Sequence, residues 1–118
     1  MKIYWIKAQA PQRVLALIKL LGIKAEFVQV AGDLKKPEYA RLNPNMKAPT
    51  LVDGDLVLWE SSAIMAHLCI KAGSDMWPAH HPAEQVEVLR WLPPCSNVVR
   101  WLETLMRIPA WADPWPTA

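Results

Sequence analysis

Cysteine occurs only twice in the 118 residues, too few for a disulfide framework, so the fold must rest on a packed core and a reducing, cytoplasmic setting is expected. Charge of one sign is also missing. Lys plus Arg number 13 against 11 Asp plus Glu, a formal net charge of +2, and nothing in that balance calls for a nucleic-acid or membrane partner. No apolar run approaches the roughly 20 residues of a membrane span. Lys2 and Lys7 bracket only Ile3 to Ile6, too short a stretch for a secretory signal. The chain has no internal repeat, phosphate-binding loop, metal-ligand spacing or nucleophile elbow. His80 and His81 are adjacent and so point different ways, with no second pair to complete a metal site.

Core-forming side chains, by contrast, are plentiful: 53% of residues are hydrophobic and 20% charged, which excludes disorder. They are unevenly spread. Seven of the eleven prolines and five of the seven tryptophans lie from Trp77 onward, while the first 73 residues alternate strand and helix patterns. A boundary between Gly73 and Pro82 follows, dividing the chain into residues 1–77 and a helical segment, 78–118.

Lys2 to Ile6 suits a buried strand, and Pro11 opens a helix whose apolar face is Val14, Leu15, Leu17, Ile18 and Leu21, stopped by Gly22. Ala25 to Val30 reads as a second strand. Asp33 to Asn45 is polar, broken by Pro37 and Pro44, and reads as loop with one helical turn. Two short apolar runs, Thr50 to Val52 and Leu56 to Trp59, flank Asp53-Gly54-Asp55, a strong hairpin signal. Ser61 to Ala72 is a helix, with Ile64, Met65, Leu68 and Cys69 on one face and Gly73 at its end. Cys69 is thus a small core residue. A β-α-β unit followed by a β-hairpin and a closing helix is an α/β plan, that of a thioredoxin-like domain.

The stretch from Asn43 to Ile64, Asn-Pro-Asn-Met-Lys-Ala-Pro-Thr-Leu-Val-Asp-Gly-Asp-Leu-Val-Leu-Trp-Glu-Ser-Ser-Ala-Ile, resembles the N-terminal domain of glutathione transferases. Arg13-Val14, the Leu-Leu-Gly22 helix end and Lys35-x-Pro37-Glu38-Tyr39 extend the resemblance over about the first 80 residues, and Pro82 to Leu105 looks like the start of that family's helical second domain. The resemblance implies a cis Pro49 that turns the backbone of Ala48 outward to pair with the cysteinyl part of glutathione, like an added strand. It implies Glu60 and Ser61 at the γ-glutamyl end. Ser61 would cap the helix and offer its N-terminus to the carboxylate, while Glu60 would face the ammonium. Lys47 and Lys35 would reach the glycyl carboxylate. A homodimer is also implied, and the reaction would be addition of the glutathione thiolate to an electrophile.

Departures from the family pattern bear on that reaction. Counting back from Arg13, the Ser or Cys that activates the thiol falls at Ala8, beside Gln9 and Ala10. Tyr4 lies near the catalytic position of tyrosine-type members, but those members usually have Gln where Glu60 stands. Lys7 could supply a cation and Gln9 a hydrogen bond. The alternative to an enzyme is therefore a non-catalytic binding or assembly module that kept the fold. Met46 replaces a usual glycine, at a cost of about 1 kcal/mol if that position needs positive φ, and Leu34 stands where some members place a ligand-contacting His.

In the second part Pro82 opens a helix with a Val86, Leu89 and Leu92 stripe, edged by Trp91. Pro93-Pro94 must kink or end it before a further helix, Ser96 to Met106, with Cys95 between. The apolar surface so formed calls for a partner or a second copy.

Overall fold

The computed structural model describes residues 1–91 and 115–116. Eight elements follow in order: β1 (Lys2–Trp5), α1 (Gln9–Leu21), β2 (Glu26–Gln29), α2 (Pro37–Leu42), β3 (Thr50–Asp53), β4 (Leu56–Trp59), α3 (Ser61–Ala72) and α4 (Pro82–Trp91). Pro93-Pro94, Cys95 and the helix expected over Ser96 to Met106 lie outside the described residues.

The strands form one sheet in the order β2-β1-β3-β4. β1 runs parallel to β2 and antiparallel to β3, and β3 pairs antiparallel with β4. This mixed sheet, with its α1 crossover and terminal hairpin, is the expected thioredoxin-like fold. The register places Ile3 opposite Leu51, and Leu51 opposite Leu58. Because strand side chains alternate between faces, Ile3, Trp5, Leu51 and Leu58 share one side, where α1 and α3 supply Val14, Leu15, Ile18, Ile64 and Leu68. Ile3, Val14, Leu51, Ile64 and Leu68 are fully enclosed. Tyr4 and Thr50 point to the other face, where Tyr4 meets Tyr39 of α2 edge to face at 5.9 Å. Tyr4 thus has a packing partner in Tyr39.

The local chemistry accounts for the element boundaries. α1 opens at Gln9, so Pro11 is its third residue, where a missing N–H is one of the helix's unpaired first-turn donors. The first intrahelical bond runs from the N–H of Gln12 to the carbonyl of Ala8. Gly22 ends the helix in the left-handed conformation at φ 64°, which costs glycine nothing. Gly54, at φ 63°, does the same for the tight turn between β3 and β4. α2 occupies the region expected to hold one helical turn. No helix among the described residues is long and apolar enough to cross a membrane.

At the hairpin end of the sheet, Asp53 accepts hydrogen bonds from Lys71 Nζ at 2.6 and 2.7 Å and from His67 Nε2 at 2.9 Å, pinning β3 to the second half of α3. Lys71 first, and His67 second, hold the Asp53 carboxyl below the usual carboxylate range. A carboxylate whose folded pKa lies below its unfolded value contributes stability above the unfolded pKa and loses it as pH falls through the folded one. Asp53→Asn is therefore expected to cost at most about 1 kcal/mol at neutral pH, because the Lys71 partner is solvent-facing. The denaturation midpoints of variant and wild type should converge below about pH 4. A gap that stays constant down to pH 2 would refute the assignment.

Candidate functional site

The segment from Asn43 to Pro49 leaves α2 and enters β3, and it is held from beneath by a closed set of buried hydrogen bonds. Asn43 is fully enclosed, and so is Thr50. The Asn43 side-chain amide donates to the Lys47 carbonyl at 2.8 Å and to Thr50 Oγ1 at 2.9 Å, while its Oδ1 accepts from the Asn45 N–H at 3.0 Å. The Tyr39 hydroxyl donates to the same Lys47 carbonyl at 2.7 Å and lies 2.8 Å from Thr50 Oγ1. A phenol has one proton. With that proton on Lys47, the Thr50 hydroxyl is the donor to Tyr39, and every member of the set is satisfied. Burial pushes the Tyr39 phenol above its ordinary pKa, with the Thr50 and Asn43 bonds opposing the rise.

The network fixes the carbonyl just before Ala48, and the Ala48–Pro49 bond is cis. Met46 is left-handed at φ 51°, so this position does need the conformation glycine takes freely. Met46→Gly is expected to stabilise the fold by about 0.5–1 kcal/mol, the left-handed penalty less the extra freedom glycine gives the unfolded chain. A lower urea midpoint for the variant would contradict this.

Beside this segment, β4 gives way to α3 through Glu60, whose φ of 69° and ψ of 116° lie outside the regions ordinary residues favour. Glu60, not Ser61, occupies the cap position. The chain reverses at Glu60, whose carbonyl accepts the first helical bond from Ile64 at 3.0 Å, so Ser61 is the first helical residue. The capping role expected of Ser61 is thereby corrected: Glu60 makes no side-chain cap bond, and the first N–H groups of α3 have no acceptor within the helix.

These elements enclose a cleft of about 150 Å³ lined by Ala10, Asn43, Asn45, Lys47, Ala48, Pro49, Trp59, Glu60 and Ser61. Five of the six residues singled out from the sequence meet there. Lys35 does not: it is exposed in the turn before α2. Ser61 is buried, and Lys47 and Glu60 are exposed. The cleft thus offers a backbone edge at Ala48, a cation, a carboxylate and the amino end of a helix, which together suit a zwitterionic ligand with carboxylates near Lys47 and α3 and an ammonium near Glu60.

Sequence reasoning did not single out Ala10, Asn43, Asn45 or Trp59 for the site. Trp59 was within reach, since alternation along β4 and its register with Thr50 put it on the Tyr4 side of the sheet. Lys7, Ala8 and Gln9 are exposed at the start of α1, and Ala8 makes no side-chain cap bond. No group of three or more His, Cys, Asp or Glu able to hold a metal occurs among the described residues.

Comparison with known proteins gives a consistent result. The family model for the glutathione S-transferase N-terminal domain matches residues 2–69. Glutathione S-transferase 1 of Triticum aestivum is 44% identical over 103 residues, covering 74% of this chain and 45% of that protein. Glutathione S-transferase D7 of Anopheles gambiae is 39% identical over 77 residues, covering 62% and 35%. The chain spans less than half the length of both relatives. Among solved structures, the glutathione-bound theta class glutathione S-transferase of Xanthomonas axonopodis pv. citri is similar with a TM-score of 0.67 at 28% identity, over 90% of this chain and 51% of that one. Human glutathione transferase theta-2, in complex with glutathione and an unknown ligand, gives 0.68 at 28% identity, over 90% and 43%.

Proposed function

The chain belongs to the glutathione S-transferase family, and from that membership we propose that its cleft binds glutathione. The observation that carries the reading is the convergence of Lys47, Ala48, Glu60 and Ser61 on one cleft around the cis Ala48–Pro49 bond. The peptide edge of Ala48, which lines the cleft, pairs with the cysteinyl unit as an added strand would. The first turn of α3 at Ser61 receives the γ-glutamyl carboxylate, Glu60 its ammonium, and Lys47 the glycyl carboxylate. Residues 1–77 form the glutathione-binding domain in this reading and residues 78–118 begin a helical part. The expected homodimer belongs to the same proposal and is checked by sedimentation.

The reaction class that follows is addition of the glutathione thiolate to an electrophile: the S–H bond and the π bond of an activated double bond break, the S–C bond forms, and the displaced π electron pair takes up a proton from solvent, which has received the thiol proton. The rival reading, a glutathione-binding module without this chemistry, is favoured by Ala8 at the position where an activating hydroxyl or thiol is expected. Calorimetric titration with glutathione decides the first point. Saturable binding at up to millimolar ligand, abolished by Ser61→Ala in a folded variant, is the expected result, and absence of heat in the folded wild type would overturn the proposal. A conjugation assay on the same preparation separates enzyme from binding module.

A further inference from the structure

The proposed complex gives work to Lys47, Ala48, Glu60 and Ser61, yet other residues also line the cleft. Asn43 spends its amide beneath the loop, and Ala10 and Pro49 bring no side-chain donor. Asn45 and Trp59 remain. Among the described residues neither side chain has a hydrogen-bond partner, and Lys47 Nζ has none either. The Trp59 indole N–H is not sealed in the interior, and Asn45 is exposed. An ammonium, a carboxamide and an indole N–H thus stand free in one cleft, above a network in which every polar group is paired.

The backbones that carry the two unassigned donors are held in place. The Asn45 main-chain N–H is bound to Asn43 Oδ1 at 3.0 Å. Met46, the next residue, is left-handed and exposed, so Asn45 and Lys47 both line the cleft while the side chain between them does not. Trp59 ends β4 opposite Thr50, whose hydroxyl belongs to the network that fixes the same loop. The ammonium of Lys47, on a long flexible stem, supplies charge but little direction. A carboxylate has room for about four hydrogen bonds, and donors on fixed backbone supply the direction that the ammonium lacks.

We propose that Asn45 and Trp59 are specificity-determining residues of the cleft. The Asn45 amide and the Trp59 indole N–H donate to the glycyl carboxylate that Lys47 neutralises, and so select a peptide whose third residue ends in a free carboxylate. The proposal rests on the glutathione reading above and extends it to two residues outside that assignment.

Calorimetric titration of the full chain with two ligands tests it: glutathione, and γ-glutamylcysteine ethylamide, which carries a methyl group where glutathione has its glycyl carboxylate. Asn45→Ala leaves the main-chain bond to Asn43 intact and should weaken glutathione binding by about tenfold. Trp59→Phe keeps a ring and removes the N–H, for an expected loss of about fivefold. Asn45→Asp, equal in size but acceptor-only, should cost glutathione more than the alanine does. All three should change ethylamide affinity by less than about twofold, because that ligand lacks the group they address. Equal losses for both ligands in folded variants would make Asn45 and Trp59 supports of the loop and overturn the proposal, as would unchanged glutathione affinity. Wild type that binds the ethylamide as tightly as glutathione would overturn it while leaving the glutathione reading intact, whereas wild type that binds neither ligand removes both.

Discussion

Asn43→Ala is expected to lower the stability of the folded chain by about 2–3 kcal/mol and to weaken glutathione binding by at least tenfold. The side chain is fully enclosed and serves three partners at once: the Lys47 carbonyl, the Thr50 hydroxyl and the Asn45 N–H. Removing it takes a partner from the buried Thr50 hydroxyl and from the Lys47 carbonyl, and leaves a cavity besides. The loop then loses one of the two donors that fix the Lys47 carbonyl, and the Ala48 edge is no longer held where a ligand would meet it. Tyr39→Phe provides the comparison. It removes the other donor but keeps the ring against Tyr4, so a loss of about 1 kcal/mol is expected, with a correspondingly smaller loss of affinity. Urea denaturation and calorimetric titration of both variants check the order. A loss below 1 kcal/mol for Asn43→Ala would show that the network does not hold the loop.

The second large effect concerns Glu60, where stability and binding should move in opposite directions. With φ at 69° and ψ at 116°, a non-glycine residue here carries strain of the order of 1–3 kcal/mol. Glycine relieves it, so Glu60→Gly is expected to stabilise the protein by about 1 kcal/mol after allowing for the added freedom of the unfolded chain. The same substitution removes the carboxylate that faces the ligand's ammonium in the proposed complex, and glutathione affinity should fall by tenfold or more. Glu60→Ala loses the carboxylate but keeps the strain, so its affinity should match the glycine variant while its stability stays near wild type. A glycine variant that binds as tightly as wild type would remove Glu60 from the site.

Much of this architecture could be read from the sequence because the relevant signals are local. Asp-Gly between two apolar runs marks the β3–β4 hairpin, and Gly22 and Gly73 close their helices by backbone conformation alone. The Asn43 to Ile64 stretch places five of the six expected ligand-facing residues in one cleft because they follow one another along a loop, a hairpin and a helix start. Lys35 stands apart, since a long, flexible cation in an exposed turn can be placed in many directions by the same sequence. The cap at Glu60 was missed for a different reason. Serine is favoured at helix caps through a side-chain bond, whereas here the reversal of the chain at Glu60 takes that position and puts serine inside the first turn. Asn43 looked like part of a polar loop, and only its burial against Thr50 and Tyr39 reveals it as a core residue. The stacking of Trp5 with Trp115, centroids 5.4 Å apart, joins positions at opposite ends of the chain, and no local pattern announces a pairing at that separation.

The seclusion of Cys69 has a practical chemical outcome. It is 4% exposed between α3 and the sheet, and burial raises the pKa of its thiol. A thiol attacks a disulfide or an alkylating reagent only as the thiolate, so in a medium rich in oxidised glutathione Cys69 should escape mixed-disulfide formation for as long as α3 stays seated. In a Cys95→Ser background the rate of its alkylation becomes a clock for the opening of the domain core, set by the unfolding equilibrium and not by the reagent's encounter with the native surface.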